Sequence, residues 1–175
     1  MTEKFPFTSS GNQWYGLTDS SFGGKSSGSL TREKYQGKTS NVLRGTVIQS
    51  SQGDECFIQM ATNLALNKSA FSSVDASKYD GIEFDAFYDG LKENEKFCVH
   101  FRTPACRAQM SCYRAEFGLE KGVWSTVKIS FEDFVGIGPG PSKTQFETSA
   151  LKRFSIVALG ETPDFSLGVC RVGFH

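Results

Sequence analysis

Cys98 and His100 are the residues in this chain whose types most suggest chemistry. They stand two positions apart in FCVHFR. A thiol beside an imidazole can be a nucleophile and its base, but the two must come within about 3 Å of each other. The stretch alternates apolar and polar residues, as a strand does. Positions i and i+2 on one strand face are ~7 Å apart, so this pair is not a working couple. Glu83 and Asp85, in GIEFDAFY, have the same spacing. Two carboxylates ~7 Å apart can flank a glycosidic bond in an inverting hydrolase, yet nothing else in the sequence supports that. Structural zinc needs four ligands, commonly in short paired spacings. Here Cys98, His100 and Cys112 are the candidates, and the remaining histidine, His175, is terminal. Lys25 follows Gly24, but the G-x-x-x-x-G-K-[ST] pattern of a phosphate loop is absent. We therefore expect no catalytic residues, no metal and no cofactor. A calcium ion held by Asp19, Asp54 and Asp89 stays open, because hard cations take carboxylates and carbonyls.

The same alternation gives these residues another use. If Phe97, Val99 and Phe101 point inward, then Cys98, His100 and Arg102 point outward together. Tyr113, Ala115 and Phe117 likewise turn Arg114 and Glu116 outward on a strand expected beside it. Glu83 and Asp85 join this polar face if their strand lies in the same sheet. Such a face, if concave, can bind a sugar, with Phe87 and Tyr113 as stacking rings, although Tyr113 falls in the inward register. Alternatively it is a solvated face with cross-strand ion pairs of ~0.2–1 kcal/mol each.

A second candidate is the stretch 14–30, WYGLTDSSFGGKSSGSL. Its Ser, Asp and Gly content favours turns, so it reads as a long ordered loop with Trp14 and Phe22 as buried anchors. Asp19, Gly23, Gly24 and Ser26 either satisfy the loop's own backbone or present hydroxyl and N–H groups to a partner.

The elements that position these residues are strands. Alternating or β-branched segments occupy 41–50, 55–60, 81–88, 97–102, 112–117, 123–131, 154–159 and 165–174. The first two read as a hairpin turning at Gln52-Gly53-Asp54. Ser130 and Asp133 can cap a single helical turn that carries Phe131 and Phe134, and GIGPGP (136–141) reads as loop. Many short alternating strands separated by Gly/Pro turns indicate an all-β sandwich or barrel with antiparallel pairing.

No repeat or linker interrupts the 175 residues, so 1–175 is expected to form one domain. Sixteen phenylalanines point to a core built on Phe, each ring burying ~150–250 Å². Acidic and basic residues balance at 19 each, which argues against nucleic acid as a partner. No apolar run is long enough to span a membrane. The N-terminus carries neither a secretory nor a mitochondrial leader pattern, so the chain as given reads as intracellular and cytosolic, or mitochondrial if a presequence has been removed. Five cysteines, none in C-x-x-C, read as free thiols.

These residues, taken in order, resemble the complex I intermediate-associated protein 30 family. Its opening pattern matches Trp14, Asp19, Gly23-Gly24, Ser26 and Ser27-Gly28. Gly45 and Val47, Tyr79 to Ile82, then Tyr113, Ala115 and Phe117 follow. Trp124, Val127, Ile129, Phe131 and Phe134 complete the pattern. The sequence departs from it at Ser21-Phe22, where the family has Val-Met, and at Asp54-Glu55-Cys56-Phe57, where it has Gly-Gly-Phe-Ala. The resemblance implies a galactose-binding-like jelly-roll β-sandwich. It also implies a non-catalytic chaperone-like module whose protein partner is an assembly intermediate of a respiratory complex. A carbohydrate or another small ligand on the polar face is the alternative.

Overall fold

Every strand ladder among the described residues is antiparallel, and the strands divide into two sheets. The computed structural model describes residues 14–49, 55–65 and 72–175, with the backbone of 3–4. The strands are β1 (Glu3–Lys4), β2 (Trp14–Thr18), β3 (Ser27–Tyr35), β4 (Lys38–Val47), β5 (Phe57–Asn63) and β6 (Gly81–Gly90). They continue with β7 (Asn94–Arg102), β8 (Cys112–Glu120), β9 (Trp124–Ser130), β10 (Val135–Ile137), β11 (Arg153–Leu159) and β12 (Thr162–Phe174). Sheet A runs β3-β4-β12-β6-β9, with β1 also on β12. Sheet B runs β10-β8-β7-β11-β5-β2. Together they form the all-β sandwich expected from the alternation.

The core between the sheets is aromatic, as the composition predicts. Phe84 of sheet A meets Phe117 of sheet B edge-on, with ring centres 5.2 Å apart. At one end, Phe101 lies among Phe131, Phe134, Phe146, Phe154 and Phe174, all within 6.3 Å. The expected single turn is present: Phe131–Asp133 form a 3-10 turn, and Ser130 and Asp133 cap it reciprocally. All five cysteines are free thiols.

Three local expectations are corrected. First, 41–50 and 55–60 are not a hairpin. β4 pairs with β3 and β12, whereas β5 pairs with β11 and β2. The chain changes sheets between them, which a local pattern cannot reveal, and the proposed turn at Gln52-Gly53-Asp54 lies outside the described residues. Second, 14–30 is not one loop. It comprises β2, a 3-10 turn at Asp19–Phe22 and the start of β3. β2 and β3 are edge strands whose side chains are largely exposed or half-buried, so they lack the apolar alternation of buried strands. Third, Phe22 is not a buried anchor, being 49% exposed.

Candidate functional site

The polar residues expected on one face are split by the two sheets. Glu83 and Asp85 lie on β6 in sheet A. His100, Arg102, Arg114 and Glu116 lie on β7 and β8 in sheet B. Inward-pointing core residues separate the two groups.

On sheet A, Asp85 is buried and accepts from Lys38 (2.9 Å), Thr126 (2.8 Å) and Arg171 (3.1 Å). Burial works against its charge, but the hydrogen bonds from Lys38 and Thr126 and the nearby cations outweigh that. Its carboxyl is held below the usual carboxylate range. Glu83 is also buried and sits 3.2 Å from Lys128. Phe87 packs between Tyr35 and Trp124. Tyr113 points inward, its hydroxyl bonded to Thr144 (2.7 Å) and Gln145 (3.1 Å), so its ring is not offered to a ligand.

The outer face of sheet B is different. β7 and β11 pair so that Arg153 lies opposite Arg102, Ser155 opposite His100 and Val157 opposite Cys98. β11 and β5 bring Gln59 beside Val157, and β5 and β2 bring Leu17 beside Gln59. A groove of about 170 Å³ crosses this face, with Gln59, His100, Arg102 and Arg153 in its lining. Leu17, Phe22 and Met110 form an apolar rim, and Phe22 and Met110 are 49% and 41% exposed.

His100 is half-buried and accepts from Arg114 Nε through its Nε2, at 3.0 Å. That bond places the ring proton on Nδ1. Burial, followed by the charges of Arg114 and Arg102, lowers its pKa to about 3. Arg114 Nη2 donates to both carboxylate oxygens of Glu55, at 3.0 and 3.1 Å, and Glu116 is exposed with Lys96 3.8 Å away. Arg102 donates to the carbonyls of Gln109, Cys106 (3.2 Å) and Ala108 (2.9 Å), and so fastens the 103–111 loop to the groove.

The two thiols on this face do not supply nucleophiles. Burial pushes Cys98 and Cys112 up to about 11, so both are thiols near neutrality. The described residues contain no group of three or more His, Cys, Asp or Glu side chains placed to hold a metal. Of the calcium candidates, Asp19 is engaged by protein donors. Asp89 lies 4.0 Å from Lys121, and Asp54 is outside the described residues.

The Asp19 segment meets this groove through Phe22. Asp19 is 4% exposed. One carboxylate oxygen accepts from Ser26 N (3.0 Å), and the other from Ser26 Oγ (2.6 Å) and Phe57 N (3.1 Å). Ser26 Oγ in turn accepts from Ile48 N at 3.1 Å. Gly23 takes a left-handed φ of 90° after the turn. A Cβ on Gly24 would stand 2.2 Å from Asp19 Oδ1. The motif therefore clasps β2, β3 and β5 together and holds Phe22 at the groove's rim, against Phe57 at 6.3 Å.

Sequence reasoning missed Arg153, Gln59, Phe22 as a surface residue, and Met110. Arg153 was discoverable: it is in the outward register of β11, one position before the apolar run that identifies the strand.

The half-buried neutral imidazole makes stability depend on pH. As pH falls, an unfolded His100 takes a proton near the usual value of 6.5, whereas the folded one resists until about 3. Its contribution is therefore complete above about 6.5 and is lost as pH drops through that window, by roughly 1.4 kcal/mol per unit. Urea unfolding of the wild type and His100→Gln between pH 4 and 7 should show the variant losing this part of the slope. Parallel pH profiles would contradict it.

The family model for complex I intermediate-associated protein 30 matches residues 4–169. No curated protein matches the chain. Among solved structures, a family 11 carbohydrate-binding module of a Clostridium thermocellum cellulosomal cellulase superposes with a TM-score of 0.71 at 11% identity. It covers 99% of this chain and 94% of that one. A family 11 module from the same organism, solved with a β-1,3-1,4-mixed-linked tetrasaccharide, gives 0.68 at 13%, covering 92% and 87%. A family 30 module of another C. thermocellum cellulosomal cellulase gives 0.58 at 17%, covering 83% and 81%. At these identities the likeness is one of fold, and the fold is the galactose-binding-like jelly roll.

Proposed function

Since the chain belongs to the complex I intermediate-associated protein 30 family, we propose that it is a non-catalytic docking module. Its partner is a protein, in the family's terms an assembly intermediate of a respiratory complex. The observation that carries this reading is the form of the sheet B face. Its groove, about 170 Å³, is smaller than the ~300–1,000 Å³ usual for small-molecule sites. It is rimmed by exposed Phe22 and Met110, and exposed apolar groups beside polar ones suit a protein surface. The lining offers one thiol, Cys112, pushed up by burial, and an imidazole already engaged by Arg114, which supplies no nucleophile–base pair.

Affinity capture from the native cell extract tests the reading. Specific recovery of one protein or one complex is expected, and recovery of nothing above background would contradict it. Phe22→Ala is expected to change stability by less than about 1 kcal/mol, because the ring is half exposed, while weakening that capture. Full retention by this variant would remove Phe22 from the surface.

The fold likeness to a module solved with a tetrasaccharide supports a carbohydrate ligand as the second reading. A sugar at 100 times its Kd would add ~2.7 kcal/mol of stability. An unchanged melting temperature across a glycan panel would dispose of it.

A further inference from the structure

Arg102 and Arg153 lie directly opposite each other on neighbouring strands, on the same face of sheet B. Like charges in that position repel. Among the described residues neither is paired with a carboxylate. The two arginines differ in what surrounds them. Arg102 spends its terminal nitrogens on three loop carbonyls. Arg153 has a buried Nε with no hydrogen-bond partner, and its guanidinium sits over the Tyr15 ring, 5.8 Å from its centre. A buried polar atom left unpaired costs stability, so this strand pair holds two uncompensated liabilities at one point, both in the lining of the groove. His100 lines the same groove, with its Nε2 engaged by Arg114 and its proton on Nδ1.

We propose that this point is a carboxylate-recognition site, occupied by a Glu or Asp side chain from an extended acidic and apolar segment of the protein partner. The proposal rests on the docking reading above and specifies the chemistry of that partner. A guanidinium presents a planar fork that matches a carboxylate bidentately, and a carboxylate held by the terminal nitrogens of Arg153 would relieve the repulsion between the two arginines. The rim argues for a peptide rather than an acidic sugar. Met110 follows Gln109, whose carbonyl Arg102 holds, and Leu17 and Phe22 continue the groove away from the arginines, Phe22 against Phe57. Apolar side chains along one groove suit the alternating residues of an extended segment. Tyr15, the tyrosine beside the site, already has Arg153 over its ring.

The test is amide NMR titration of the full chain with two blocked pentapeptides. One alternates Leu and Glu; the other alternates Leu and Gln. Sodium glucuronate and inorganic phosphate serve as competing probes. The acidic peptide should move the signals of Gln59, His100, Arg153 and Ser155, and bind about tenfold more tightly than its amide counterpart. Arg153→Met should lose that preference with its melting temperature unchanged or raised, because the substitution removes the repulsion. Equal binding of both peptides, no shifts at millimolar peptide, tighter binding of glucuronate or phosphate, or a melting temperature lowered in Arg153→Met would each overturn the proposal. Capture from native extract separates this failure from that of the docking reading. A partner held equally by the wild type and Arg153→Met refutes the carboxylate site alone, whereas no partner for the wild type refutes the docking reading.

Discussion

Asp19→Ala is expected to lose about 4 kcal/mol of stability. Three donors converge on this buried carboxylate: Ser26 N, Ser26 Oγ and Phe57 N. Hydrogen bonds to a charged group contribute ~1.5–3 kcal/mol each, and a buried donor left without an acceptor costs a further penalty. Alanine leaves both backbone N–H groups without that acceptor and opens space beside Gly24. The three strands joined by the clasp would loosen together. Asp19→Asn keeps one carbonyl oxygen and is expected to lose about half as much. Urea unfolding of the three proteins checks the ordering. An Asp19→Ala loss under about 1 kcal/mol would mean the clasp does not hold the strands. The variant bears on function too, since Phe22 is presented from the same 3-10 turn. Binding measured per folded molecule should fall if the turn shifts, and should survive if the clasp only closes the sandwich.

Phe101→Ala is expected to cost about 3–5 kcal/mol, an effect of the same size with a different origin. The ring is fully buried and lies within 6.3 Å of five other aromatic rings. Those partners come from β11, β12 and the 131–146 segment, so the cavity would be walled by elements that cannot all collapse into it. For a chain of this length, 1 kcal/mol shifts the melting temperature by ~2–4 °C, which puts the expected drop near 10 °C. Phe101→Leu fills most of the space and should cost less than half as much. Equal losses for the two variants would show that the end of the sandwich tolerates a void, contrary to the packing described.

The strands that alternate were legible because burial writes a period of two into the sequence. FCVHFR and CYRAEF each set one face in the core, and GIEFDAFY keeps the same alternation although its second face is buried as well. The outward set His100, Arg102 and Arg114 followed from that register alone. The identity of a strand's neighbours did not follow, because pairing is a long-range property. Glu83 and Asp85 shared the same alternation yet went to the other sheet. The 41–50 and 55–60 segments looked like a hairpin, but each pairs with strands distant in sequence. β2 and β3 escaped for a related reason: at a sheet edge the side chains need not be apolar on either face. Phe22 was misplaced because an aromatic residue in a polar loop normally marks burial, whereas here the clasp holds it outward.

In the docking reading we propose, the outer face of sheet B is the surface by which this module holds a protein partner. Its most direct test is parallel capture from native extract with the wild type, Arg153→Glu in the groove, and Lys34→Glu on β3 of the other sheet, where the side chain is exposed. The same discrete partner is expected on the wild type and on Lys34→Glu, and its loss is expected from Arg153→Glu while all three remain folded. Equal recovery on all three, or loss only from Lys34→Glu, would contradict it.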